Sequence, residues 1–293
     1  MSTSTEPRLT ILELSPSELE AKKLGRLNLV AALEALHRDG IVALKNAVNP
    51  QHLFDKLNGR MVPEAQELYA RPTTHRNFGS DTGNIQQEPV LEDGFIFQDI
   101  VANPWASEIT KNILGPHPVV RFYSANTAFK ATARQPVHMD VSFDFPKLPF
   151  GYCLNINLVD TSPENGATEV WLGTHTDASQ ALLDAGSAVR PEVVEARRKI
   201  SPPIQPSLPK GSLIIRDLRL WHAGRPNQTE EPRVMLVTTQ FPQWYQCNSH
   251  MVLPKSAKDG IDWGDVVPHA EWFEKDFDYL QGAHDHDFTL LPE

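Results

Sequence analysis

Val119-Val-Arg-Phe-Tyr-Ser124 is where the texture of this chain changes. Before it, apolar residues recur at helical spacing. From it onward they fall in short runs rich in β-branched and aromatic residues, separated by turn signals. The runs cover residues 119–124, 128–131, 137–141, 152–159, 168–171, 213–216, 221–223 and 233–241, with turns at 160–166 and 202–211. Many short strands at this spacing predict a sandwich or barrel. Residues 176–199 read as a helical or loop-like insertion between strands.

Upstream the reading is helical. Ser15-Pro-Ser-Glu-Leu-Glu starts a helix, with Ser15 as N-cap and an acidic first turn. A second helix runs from about Leu27 to His37, its Leu29, Leu33 and Leu36 spaced by four and three, and Asp39-Gly40 stops it. Residues 41–44 read as a short buried strand. Asn46-Ala-Val-Asn-Pro50 breaks the chain, a third helix follows to about Tyr69, and another spans 106–113 before Gly115-Pro116. Residues 71–93, polar and rich in Gly, Thr, Asn and Gln, look like a long loop, a length at which loops often act as lids. The expectation is one mainly β domain with α, a double-sheet jelly roll under an N-terminal helical layer. Residues 1–118 form the helical layer and lid loop, 119–241 the jelly-roll core and 242–293 a C-terminal extension.

Bulk properties narrow the function. The 293 residues carry a formal net charge of −10, which disfavours nucleic acid and anionic membranes as partners. Two cysteines, Cys153 and Cys247, cannot staple a chain this long and form no CxxC pair. The segment Met1–Leu9 has no apolar signal region, and no stretch reaches membrane-spanning length, so the cytoplasm is the expected location.

The sharpest chemistry is Val137-His138-Met139-Asp140-Val141. Residues two apart on a strand share a face, so His138 and Asp140 can reach one metal. His222, in Leu220-Trp-His-Ala-Gly224, is the candidate third ligand. Two histidines and a carboxylate on one face of iron leave three positions open, as non-haem iron(II) oxygenases require. The same HxD spacing recurs at His37-Arg-Asp39 and His175-Thr-Asp177. The first lies at a helix end, where such residues diverge, and the second leaves a strand through a turn. His284-Asp-His-Asp287 sits in an acidic tail and reads as a solvated terminus. Eleven residues after His222, Arg233 opens an apolar strand. A buried arginine needs a carboxylate: either the distal group of a bound 2-oxoglutarate or an acid of the chain itself.

His138-x-Asp140, Pro163-Glu-Asn-Gly-Ala-Thr-Glu169, Leu172-Gly-Thr-His175, Lys210-Gly-Ser-Leu, Trp221-His-Ala-Gly224 and Arg233 occur in one order. That ordered set resembles the phytanoyl-CoA hydroxylase-like (PhyH-like) iron(II)/2-oxoglutarate oxygenases, closest to the fungal natural-product branch that includes verruculogen synthase. The resemblance covers about residues 39–241. It implies a double-stranded β-helix, with His138, Asp140 and His222 on Fe(II) and Arg233 on the co-substrate 2-oxoglutarate. It adds Gln135 and Thr168 as co-substrate contacts and makes His175 structural. It also implies a dioxygenase of secondary metabolism that oxidises an unactivated C–H of a small organic substrate with O2, releasing succinate and CO2. Relatives in that branch form homodimers, for which Trp272-Phe-Glu-Lys-Asp-Phe277 is a candidate interface.

Met235, Val237, Thr239 and Phe241 share the phase of Arg233 and can line a pocket. Phe143, Phe145 and Phe150 can form an apolar wall, or simply belong to the core, and so can Phe78 and Phe95. Two other functions compete. One is a non-catalytic jelly-roll metal-binding module; the other is a cupin-like dioxygenase that does not use 2-oxoglutarate.

Overall fold

The computed structural model describes residues 7–48, 52–184, 186–274, 277–281 and 286–292. Its strands are β1 (Ile11–Glu13), β2 (Ile41–Lys45), β3 (Asn84–Gln87), β4 (Val119–Ala128), β5 (Tyr152–Asn157), β6 (Glu169–Val170), β7 (Leu213–Asp217), β8 (His222–Ala223), β9 (Arg233–Phe241), β10 (Met251–Pro254), β11 (Val267–Pro268) and β12 (Ala270–Phe273). The helices are α1 (Pro16–Ala21), α2 (Arg26–Asp39), α3 (His52–Ala70), α4 (Gln98–Val101), α5 (Pro104–Leu114), α6 (Pro191–Ile200) and α7 (Ser256–Gly260).

The large sheet runs β1-β2-β7-β5-β9-β4-β11, and β3 pairs with β4 off that path. One face carries Leu44, Tyr123, Leu154, Ile156, Leu213, Ile215 and Leu236, which pack with α2, α3 and α5 in one core. Both faces of the central strands are covered, so β5 is buried throughout its length. The second sheet is short and pieced together. β6 pairs with β8, and single bridges extend it from Ala188 through His138, His222 and Val170 to Ile204. Two facing sheets of this kind make the jelly roll, with the helices layered outside the larger one.

Local sequence explains the helix ends. Ser15 and Glu18 form the reciprocal capping box of α1, and Asn103 caps α5 by accepting from the N–H groups of Trp105 and Ala106. α2 stops at Gly40, whose φ of 76° suits glycine. A Cβ there would also meet His175 Nδ1 at 2.5 Å. His175 itself is buried, and its Nε2 bonds to His37 O at 3.2 Å, which joins α2 to the turn at 173–176.

Several expectations need correction. Residues 128–131 form no strand beyond the end of β4: Phe129 N–H bonds to Gly83 O, and Ala131 N–H to Asn227 O. Residues 137–141 make two isolated bridges at His138, to His222 and to Ala188, rather than a ladder. The segment 71–93 contains β3, and β1 adds a parallel edge strand that the sequence reading missed. The acidic tail is not simply solvated. Phe288 is buried, accepts a bond from Tyr245 O–H through its carbonyl (2.7 Å), and packs its ring against Phe122 and Phe241. His284 lies outside the described residues, as do Asn49 and Pro50 of the expected break.

Candidate metal and co-substrate site

A cavity of about 460 Å³ opens between the sheets, and the inner face of the large sheet lines it in cross-strand rows. One row is Gln86, Asn126, Met235 and Asn157. The next is Ser124, Val237, Asn155 and Ile214. The third is Phe122, Thr239, Cys153, Arg216 and Ile41. Arg233 stands at the end, opposite Ala128. Met235, Val237 and Thr239 therefore line the cavity as their phase predicted, whereas Phe241 stacks on Tyr245 in the core. Phe143, Phe145 and Phe150 also belong to that core rather than to a pocket wall. Phe95 packs with Lys56.

The opposite sheet supplies the metal-type donors. His138 and His222 exchange both backbone hydrogen bonds, each at 2.9 Å. Residues directly opposite in an antiparallel pair project to the same face, so the two imidazoles lie with ring centroids 4.1 Å apart. Asp140 follows two residues on. One donor atom from each of His138, Asp140 and His222 lies within 4.8 Å of the others.

The donors are oriented for a cation. His138 Nδ1 lies 2.9 Å from Pro136 O, and His222 Nδ1 lies 3.0 Å from Leu220 O. A carbonyl only accepts, so the Pro136 contact puts the His138 proton on Nδ1 and leaves its Nε2 as the lone-pair donor, whereas His222 Nδ1 lies between the Leu220 carbonyl and the donating Nη1 of Arg216 at 3.2 Å. Burial, reinforced by His222, pushes the His138 imidazole down to about 3, so it is neutral at physiological pH. Burial opposes charge on Asp140 as well, but Arg216 and then His222 outweigh it and hold the carboxylate well below its usual range. Neutral nitrogen and anionic oxygen donors fit a divalent transition metal such as iron(II).

The co-substrate end differs. Arg233 is 4% exposed and donates to Asn165 O (3.1 Å), Gly166 O (3.0 Å) and Asn157 Oδ1 (3.4 Å). Among the described residues no carboxylate pairs with it, and burial alone pushes its guanidinium down to about 10. Gly166 reaches it through a turn with φ of 77°, where a Cβ would meet Arg225 O at 2.7 Å. Gln135 and Thr168 both line the cavity. The Gln135 amide oxygen is already engaged by Gly224 N–H at 2.8 Å, which leaves its NH2 group for a ligand. Glu169, buried beside Thr168, anchors this turn by accepting from Arg134 (2.8 Å), Arg225 (3.3 Å) and Trp171 Nε1 (3.0 Å).

Sequence reasoning gave no cavity role to three side chains, Arg216, His286 and Phe288, and offered a fourth, Phe78, as a candidate pocket residue. Arg216 reaches Asp140 Oδ2 at 2.7 Å. Phe78, at φ 60°, sets its ring 4.5 Å from that of His138. His286 and Phe288 close the cavity beside Phe122. Only Phe78 left a signal, as an aromatic residue within the expected lid.

Fold and site together define a jelly-roll protein with a two-histidine, one-carboxylate cluster and a buried cationic anchor in one cavity. The family model for phytanoyl-CoA dioxygenase (PhyH) matches residues 36–235, and the chain belongs to that family. A dioxygenase of Aspergillus fumigatus, af480, is 23% identical over 236 residues, covering 78% of this chain and 71% of its own. The epimerase SnoN, solved with Fe3+, α-ketoglutarate and nogalamycin RO, superposes with a TM-score of 0.59 at 18% identity, over 75% of this chain and 86% of that one. EctD from S. alaskensis, solved with 2-oxoglutarate and 5-hydroxyectoine, gives 0.53 at 16% identity, over 75% and 76%. At these identities the structural likeness carries the jelly-roll fold.

Proposed function

We propose that this member of the family is an iron(II)/2-oxoglutarate-dependent dioxygenase in which His138, Asp140 and His222 hold the metal. Arg233 binds the distal carboxylate of 2-oxoglutarate, with Gln135 and Thr168 as further contacts. The observation that carries this reading is the buried Arg233, facing the same cavity as the donor cluster with no acid of its own. When bound, the iron would let one O2 oxidise two partners, the C–H bond of the substrate and 2-oxoglutarate, the latter leaving as succinate and CO2.

The chain's own residues bind, orient and exclude water. The Nδ1 bond to Pro136 O holds the His138 imidazole in one tautomer, and Leu220 O and Arg216 together orient the His222 ring. The guanidinium of Arg233, fixed by two backbone carbonyls, presents a planar fork that a carboxylate matches with two bonds. Phe78 covers His138 from the loop side, and Phe288 closes the opposite end of the third row.

The substrate is a small uncharged organic molecule of secondary metabolism. Around the metal the cavity offers carboxamides, hydroxyls and apolar side chains, and its two arginines are committed to Asp140 and the co-substrate. A coenzyme A thioester would need strongly basic groups for its phosphates, and among the described residues the cavity lining has no lysine and no arginine beyond these two. O2 is the second co-substrate.

No described helix is long and apolar enough to cross a membrane, and both cysteines are free and buried, features that suit a cytoplasmic enzyme. Residues 1–293 work as one domain, because β1 and β2 complete the large sheet and β11 returns to pair with β4. A homodimer remains part of the proposal. Trp272 and Phe273 sit in β12, half-buried against the chain's own core, while Lys275 and Asp276 lie outside the described residues. Light scattering should give twice the chain mass; a monomer removes the dimer.

The test of function is succinate release. Metal-stripped protein should form none, and added iron(II) should restore 2-oxoglutarate turnover. No succinate even with iron(II) added, or oxidation without 2-oxoglutarate, would favour the binding-module and cupin-like readings respectively.

A further inference from the structure

Arg216 is a second buried arginine in the cavity, 6% exposed, and the proposed reaction gives it no role. It lies on β7, opposite Cys153 on one side and Ile41 on the other, on the strand face that looks into the cavity. Its neighbour Asp217 points the other way and is fully taken by Arg219, through bonds of 2.9 and 2.8 Å. That pair is structural, away from the cavity. Arg216 reaches instead across the cavity to the opposite sheet. Its Nη2 lies 2.7 Å from Asp140 Oδ2, and its Nη1 lies 3.2 Å from His222 Nδ1.

The two oxygens of Asp140 are thereby made unequal. Oδ2 is engaged by the guanidinium, while Oδ1 faces the histidines, 3.3 Å from His222 Nε2. A carboxylate can bind a metal through one oxygen or both. Two-oxygen binding would raise the chain's own donors from three to four. A bidentate oxoacid and dioxygen together need three positions, so that mode would block the reaction.

We infer that Arg216 is a positioning residue that restricts Asp140 to one-oxygen ligation and so keeps three metal positions free. This rests on the proposed function. It also predicts opposite effects on two ligands. The Arg216 charge sits close to the cation site and opposes metal binding, so its removal does not weaken metal affinity. Freeing Oδ2 crowds the metal and weakens 2-oxoglutarate.

The test uses the full chain loaded anaerobically with cobalt(II), whose d–d absorption reports coordination number. Calorimetry gives the metal and 2-oxoglutarate affinities. In Arg216→Met, the cobalt Kd should stay within threefold of wild type or tighten. The 2-oxoglutarate Kd should rise at least about tenfold, equivalent to about 1.4 kcal/mol. The d–d bands of the metal-only form should change. Arg216→Lys, which keeps one bond to Oδ2, should fall between wild type and Arg216→Met. If Arg216→Met does not fold, Arg216→Lys decides by the same readouts. Unchanged bands and unchanged 2-oxoglutarate affinity would overturn the inference. So would parallel loss of cobalt and 2-oxoglutarate binding, because Arg216 would then be building the whole site. Failure of wild-type cobalt protein to bind 2-oxoglutarate would instead sink the proposed function and the inference with it.

Discussion

Arg216 and Arg233 stand on the same inner sheet face, almost equally buried, and differ in one respect. Arg216 has an acid of the chain within 2.7 Å, and that pairing offsets the burial that would otherwise lower its pKa. Arg233 has only neutral oxygens around it, and burial lowers its pKa unopposed. A buried charge without a counter-charge is costly, so a fold that keeps one has a ligand to complete it. In the proposed function these become a self-balanced metal end and an anion-deficient co-substrate end of one cavity.

The largest effect that sharpens this contrast is at the metal end. His222→Ala should weaken iron(II) by at least about 100-fold and remove measurable turnover, as metal titration and succinate assay would show. Retained metal affinity would take His222 out of the ligand set. Next comes the other end. Arg233→Met should leave metal affinity nearly unchanged but cost 2-oxoglutarate about 2–5 kcal/mol of binding, the usual penalty for truncating one partner of a buried charge pair. Wild-type protein at a hundredfold excess of 2-oxoglutarate over its Kd should gain about 2.7 kcal/mol of stability, and the variant at the same concentration no more than about 1 kcal/mol.

Smaller effects test the supports. Glu169→Gln leaves both Arg134 and Arg225 without their shared anion. Both arginines are about a third exposed (32% and 38%), so solvent screening limits the loss to about 1 kcal/mol. Thermal unfolding would measure it, and 2-oxoglutarate should weaken more than the metal does. Phe78→Gly relieves a left-handed backbone worth about 1–2 kcal/mol, so the protein should melt slightly higher while losing the ring over His138. A lower melting temperature would mean that the Phe78 ring packs for stability rather than as a cover.

What the sequence revealed follows the same division. β9 was legible because Arg233–Phe241 alternates cavity and core residues in a long apolar run. His138 and Asp140 were legible because the extended backbone aligns them even without a full strand ladder. β3 was hidden because its inner residues, Asn84 and Gln86, face a polar cavity and break the apolar alternation. Arg216 was hidden because Arg-Asp at a strand end ordinarily marks an exit to solvent; only the fold shows that Asp140 waits across the cavity. The burial of Phe288 was hidden because it directly follows an acidic run ending at the exposed Asp287, and it depends on Phe122, Phe241 and Tyr245, all distant in the sequence.

The most direct test of the two-ended cavity is anaerobic addition of 2-oxoglutarate to iron(II)-loaded wild type, Arg233→Met and His222→Ala, followed by the weak visible charge-transfer band of the chelated oxoacid. The account predicts a saturable band in wild type, the same band at far higher 2-oxoglutarate in Arg233→Met, and none in His222→Ala. A band that saturates equally in wild type and Arg233→Met would contradict it, because the unpaired arginine would then not be the anchor of the co-substrate.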